Sequence, residues 1–252
     1  MREAVVQKYH PDLLFCAREA ICLTGIQEFP LYHGGSGAVF SLEGRFFFVT
    51  AAHNLKNCDV QNVRVLYSFY RKEFVPMKAI YHYPTVDNGE SDSNDLTIVL
   101  LDNDSIEYDY FNNEKPYELD WFDAGLTMVA ESIYIFRGFP HHLRKFPDEN
   151  GSVEMAYINL EAKLKNRVDN LIYELTIPII PDFDINGMSG SAVFQIHHPY
   201  FFTPTISFAG MVVRGSAANG IVRMVHADRI YGALKEILRM DCWAGQTEYI
   251  PD

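Results

Sequence analysis

An all-β fold is what this sequence predicts, and three observations carry the prediction. From Tyr32 onward, about ten short runs rich in Val, Ile, Phe and Tyr recur along the chain, each of strand length. Breaks rich in Gly, Asn, Asp and Pro separate them, as turns between strands require. Aromatic usage is high, with 18 Phe and 15 Tyr in 252 residues, and such side chains suit a pleated, half-buried surface. Many short strands with this punctuation indicate a sandwich or a barrel.

The elements follow in order. Residues Asp12 to Thr24 (DLLFCAREAICLT) carry apolar side chains at mixed helical spacing and predict a short N-terminal helix. GAVFSL and RFFFVTAA flank Glu43-Gly44, which reads as the turn of a tight hairpin. Further strands are expected at VRVLYSF, LTIVLL, TMVAESIYIF, LIYELTI, SAVFQI, ISFAGMVV and GIVRMV. The largest breaks are TVDNGESDSN before Asp95 and FPDENGS near residue 150. The acidic, aromatic stretch from Asn103 to Phe122 has no clear period and reads as the connection between two lobes. The final element, HADRIYGALKEILRM over 226–240, predicts a C-terminal helix packed on the second lobe.

Composition limits the function classes. A hydrophobic share of 48% with 21% charged residues describes a globular chain able to bury a sizeable core. The net charge of −12 would repel phosphate and argues against a nucleic-acid partner. No apolar run approaches the ~20 residues of a membrane span. Cys16, Cys22, Cys58 and Cys242 are too sparse for a disulfide framework, so strong reductant is expected to leave the melting temperature unchanged. Together with a polar N-terminus, MREAVVQKYHPDLL, this leads to an expected cytoplasmic location.

Three phrases carry chemistry. TAAH ends at His53, NDLTIVLL places Asp95 directly before a strand, and GMSGS surrounds Ser189; the separations are 42 and 94 residues. A serine hydroxyl is a weak nucleophile until an imidazole removes its proton, and a carboxylate holds that imidazole in the required tautomer. Taken singly, His53 reads as a core histidine, Asp95 as a turn residue and Ser189 as a turn serine; together they form a nucleophile, a base and an acid. Asp92 is the rival to Asp95, which is preferred because it abuts LTIVLL. Gly34-Gly35-Ser36-Gly37 is not a phosphate loop, since no Gly-Lys-Ser/Thr follows. The acidic stretch Asp87 to Asp95 lacks the glycine spacing of a calcium loop. His141-His142 and His197-His198 are adjacent rather than spaced pairs, so no metal is expected.

With these phrases the chain resembles the trypsin-like (chymotrypsin-fold) serine proteases, and especially their disulfide-free bacterial branch, over roughly residues 30–230. The resemblance implies two six-stranded antiparallel β-barrels packed face to face in a single domain over 1–252, with lobes near 25–110 and 123–225. It implies a serine endopeptidase with His53 as base, Asp95 as acid and Ser189 as nucleophile, and with the backbone N–H groups of Gly187 and Ser189 forming the oxyanion hole. Phe183, Asp184, Arg214, Gly215 and Gly220 would line the substrate pocket. Phe183 stands where trypsin's pocket carries an acid, which fits poorly with strict preference for Lys or Arg. Met188 stands where secreted relatives carry the aspartate that pairs with a new amino terminus, so activation by N-terminal processing is not expected. No cofactor is implied. The expected partners are a protein or peptide substrate and a regulatory protein. The competing class is a catalytically silent module of the same fold that binds peptides or partner proteins. An esterase is a third reading, but GMSGS lies between strands rather than at a strand-to-helix elbow.

Overall fold

A computed structural model describes residues 16–26, 29–65, 74–83, 92–106, 115–143, 156–178, 183–197 and 205–241. The acidic segment 87–91, the expected break FPDENGS at 146–152, His198 and Cys242 lie outside them. The described chain is mostly antiparallel β. The first sheet contains β1 (Ala17–Ile26), β2 (Phe29–Leu42), β3 (Arg45–Thr50), β4 (Val63–Arg64), β5 (Met77–Tyr83), β6 (Leu96–Leu101) and β7 (Tyr117–Glu118). Its order is β4-β1-β2-β3-β6-β5, with β7 added in parallel beside β2. After a single-turn helix, α1 (Trp121–Ala124), come β8 (Ile133–Gly138), β9 (Ile158–Arg167), β10 (Ile172–Thr176), β11 (Ala192–His197), β12 (Thr205–Ser216) and β13 (Ile221–His226). These six close into a barrel in the order β10-β13-β12-β11-β8-β9. The C-terminal helix α2 spans Ala227–Asp241. One closed barrel and one open sheet are therefore shown among the described residues, rather than two closed barrels.

Side-chain alternation explains why several strands read as continuous apolar runs. On β2, Ala38 and Phe40 face a core shared by both lobes, while Val39 faces the interior of the first sheet. On β6, Leu96, Ile98 and Leu100 face the shared core and Val99 and Leu101 the first-sheet interior. β8 does likewise, with Ile135 toward the shared core and Tyr134 and Phe136 inside the barrel. A strand buried on both faces loses the usual polar alternation. The lobes meet at Phe40 and Phe208, whose ring centroids are 4.8 Å apart. The Glu43-Gly44 hairpin forms as expected, with φ of 51° and 75° at its two central residues and Leu42 opposite Arg45. The strands β5 and β9 were not anticipated. β9 is largely exposed on one side and carries too many Lys, Glu and Asn residues to read as a strand.

Two expectations are corrected. The segment read as an N-terminal helix is strand β1 from Ala17 onward, pairing Ala17 with Ala38 and Ala20 with Gly35. Its short apolar set is compatible with either period, and pairing with β2 on one side and β4 on the other decides for strand. Second, Cys22 and Cys58 form a disulfide with Cα atoms 5.9 Å apart. The cause is topological: β4 returns to pair Cys22 with Val63, which brings the segment after His53 back against β1. The cysteine usage on which a cytoplasmic location was inferred no longer supports it.

The described end of the connection between the lobes, from 115 onward, is held by side-chain caps. Asp120 accepts hydrogen bonds from Phe122 N and Asp123 N, and the Asp123 carboxylate in turn accepts one from Asp120 N, so the first turn of α1 is capped reciprocally. The other Asp123 oxygen accepts Phe208 N at 2.7 Å, which ties the connection to β12.

His226 ends β13 and is buried at the start of α2. Its Nε2–H donates to Leu126 O at 3.0 Å, leaving Nδ1 to accept the Asp228 N–H at 3.3 Å. Burial holds this imidazole below its ordinary value, against the opposing pull of the Asp228 carboxylate. The folded state thus disfavours a proton that the unfolded chain binds below about pH 6.5. The stabilisation is present above that pH and is lost as the pH falls through the folded value. His82 and His141 are shifted in the same direction by burial. The melting temperature should therefore fall between about pH 7.5 and pH 5, and His226→Gln, which keeps a donor for Leu126 O, should flatten the fall. A melting temperature independent of pH over that window would contradict this account.

Candidate active site

β3 and β6 are antiparallel neighbours, so the end of β3 and the beginning of β6 lie at the same edge of the sheet, with Thr50 opposite Thr97. The chain leaves β3 into a short 3-10 turn, Ala52–Leu55, that carries His53, and it enters β6 directly from Asp95. The carboxylate therefore meets the imidazole. His53 Nδ1 lies 2.6 Å from Asp95 Oδ2, and His53 N donates to Asp95 Oδ1 at 3.0 Å. The Asp95 side chain is 9% exposed and the His53 side chain 47%, so a buried acid holds an imidazole that opens to solvent. The bond to Asp95 takes up Nδ1–H, which leaves Nε2 as the free base.

Asp92 has a different task. Its carboxylate pairs with Arg214 at 3.1 Å and Arg223 at 3.3 Å, both on strands of the barrel. From α2, Arg229 donates to Ser93 O and to Asn94 Oδ1. Three arginines thus hold the turn that delivers Asp95, and they come from parts of the chain far from it in sequence.

Ser189 lies in the turn before β11. Its carbonyl accepts from Ser36 N at 2.9 Å and from Asn54 Nδ2 at 2.8 Å, so the first sheet grips the serine's backbone from beside His53. The hydrogen bonds of the described residues include none between Ser189 Oγ and His53 Nε2. Gly187 and Gly190 have φ of 93° and 92°. A Cβ on Gly190 would stand 1.8 Å from Ser36 O, and one on Gly187 would stand 2.6 Å from both Phe139 O and His141 Cδ2. Glycine at both positions follows from backbone angle and from space alike.

The peptides of this turn are held by their carbonyls. Asn186 O accepts from His141 N at 2.8 Å, and Met188 O accepts from Ser191 N at 3.1 Å. In a trans peptide the N–H points opposite to the C=O, so the N–H groups of Gly187 and Ser189 are turned away from those bonds. Among the described residues neither N–H donates a hydrogen bond. Two backbone donors separated by one residue, oriented and unspent, are what a developing oxyanion needs.

The remaining pocket residues separate into two groups. Phe183 packs on the barrel core and meets His142 edge to face, with centroids 5.3 Å apart. A Cβ on Gly215 would stand 2.7 Å from Ile185 and 3.0 Å from Val222, so this strand runs close over an apolar floor. Asp184 accepts from Asn186 N and Nδ2 at 2.9 and 3.0 Å, which supports the turn. Arg214 is paired with Asp92, and Gly220 lies in the β12–β13 turn, its carbonyl bonded to Ile177 N. Met188 is fully buried in the barrel core.

Two residues escaped the sequence reading, Asn54 and Ser36. Asn54 follows His53 directly. Ser36 was seen only as part of a glycine-rich segment. The contacts that join them to the serine turn span 135 and 151 residues, which no local pattern marks.

No protein-family model and no curated protein sequence matches the chain. Among the described residues no helix is long and apolar enough to cross a membrane, and no cluster of three or more His, Cys, Asp or Glu is placed to hold a metal.

Proposed function

We propose that the chain is a serine endopeptidase of the chymotrypsin-like, two-barrel type, working through an acyl-enzyme on Ser189. One observation carries the reading most: a buried carboxylate bonded to Nδ1 of a solvent-facing imidazole lies beside a glycine-flanked serine turn with two oriented, unspent backbone N–H groups. His53 Nε2 takes the Ser189 proton as Oγ attacks the substrate carbonyl. Asp95 stabilises the resulting imidazolium. The carbonyl oxygen, now negative, is received by Gly187 N–H and Ser189 N–H. His53 then protonates the leaving amine, and a water activated in the same way releases the acid. The missing Ser189–His53 hydrogen bond is consistent with this, because such contacts are often long until substrate closes the site.

A buried Met188 offers no charge to a new amino terminus. Trimming to Ile21 would also cut β1 in its middle and remove the pairing of Ala17–Ala20 with Gly35–Ala38, which underlies the serine turn. Activation by that route is therefore not part of the proposal.

The test is labelling by a fluorophosphonate, which reports an activated serine without knowledge of the substrate. Wild-type protein should label at one site, and Ser189→Ala should abolish it. A folded wild-type protein that does not label would favour the silent binding module instead.

A further inference from the structure

We infer that Ser36 is a positioning residue, whose side chain sets the orientation of the oxyanion-binding turn from the opposite lobe; this rests on the serine-hydrolase reading above. Ser36 is on β2 and is fully buried, yet every polar atom it owns is engaged with the site. Its N–H donates to Ser189 O at 2.9 Å. Its Oγ donates to Gly187 O at 2.6 Å and accepts from Phe139 N at 2.9 Å. Its own carbonyl accepts from Thr50 Oγ1 at 2.6 Å and Asn54 Nδ2 at 3.2 Å.

The hydroxyl's position is what matters. The Gly187 carbonyl belongs to the peptide between the two residues whose N–H groups receive the oxyanion. Gly187 has φ of 93° and carries no side chain to hinder rotation, so the orientation of this peptide is left to its hydrogen bonds. Ser36 Oγ holds its carbonyl, while its N–H, on Met188, donates to Ile185 O at 3.0 Å; His141 N holds the preceding peptide through Asn186 O. Phe139 and His141 are on one segment, so the same hydroxyl joins that segment to the turn. Because the clamp reaches across from the first sheet, the hole is built only when the two lobes are docked.

The experiment compares Ser36→Ala with wild-type protein by the rate of fluorophosphonate labelling across pH, each variant measured well below its melting temperature. The plateau rate should fall roughly 10- to 100-fold, less than the 10²–10³ typical of losing an oxyanion donor outright. The pH midpoint and the low-field proton resonance of the His53–Asp95 pair should be unchanged, which separates a misplaced hole from a broken dyad. Ile237→Ala, in α2 and away from the site, lowers stability without touching the turn, and its plateau rate should equal that of wild type. If Ser36→Ala does not fold, Ser36→Thr and Ser36→Val form a pair of equal shape that differs in the hydroxyl alone, and the same loss should appear between them. Equal plateau rates in wild type and Ser36→Ala, or in the Thr and Val variants, would overturn the inference. Absence of labelling in wild type would instead remove the hydrolase reading beneath it.

Discussion

Asp95→Asn should lower the rate of phosphonylation at Ser189 by about 10⁴-fold with the fold intact. The cause is the tautomer. An asparagine amide facing Nδ1 donates where the carboxylate accepted, so the imidazole carries its proton on Nε2 and can no longer receive one from Ser189. His53→Ala should cost about as much, because these groups act as a unit rather than by additive shares. Asp92→Asn is the informative control. It was the rival acid in the sequence, but its oxygens are committed to Arg214 and Arg223. Both arginines are more than a third exposed, so losing the pairs should cost no more than about 1 kcal/mol of stability and leave the rate within a few fold. The measurement is the labelling rate at neutral pH for each variant. A collapse in Asp92→Asn with near-normal Asp95→Asn would reverse the assignment of the acid.

Reduction of the Cys22–Cys58 disulfide should destabilise the protein strongly, contrary to what cysteine counting led us to expect. The bridge closes a loop of 36 residues, and the loop-entropy estimate for that length is about 3–4 kcal/mol. For a chain of this size, that corresponds to a fall in melting temperature of roughly 10 °C. The loop it closes contains β2, β3 and the turn with His53, so labelling should be lost at a lower temperature in reductant as well. Melting curves of oxidised protein, reduced protein and Cys58→Ala decide the matter. Coincident curves would show that the bridge does not form or does not constrain the chain. A large shift would point to residence where disulfides persist, outside a reducing cytoplasm.

The glycines of the serine turn, the hairpin and the all-β class were legible in sequence because each depends on local chemistry. Glycine beside Ser189 answers a positive φ within the same few residues, and Glu43-Gly44 defines a hairpin whose strands adjoin it. Asp95 was distinguishable from Asp92 by its contact with LTIVLL, and the structure places it against His53. What failed or stayed invisible depends on pairing across long stretches of chain. Residues 17–24 form a strand because β2 and β4 flank them, a circumstance their own spacing does not encode. Cys22 reaches Cys58 because β4 returns to β1, and the count of cysteines has no bearing on that. Ser36, Asn54 and the arginines that hold the Asp95 turn have partners more than a hundred residues away, so no window along the chain contains both sides of the contact. The sequence alone offered His53, Asp95 and Ser189 as candidates. The packing of one lobe against the other decided which groups hold them in place, because a buried hydrogen bond depends on positions in space that only the folded chain brings together.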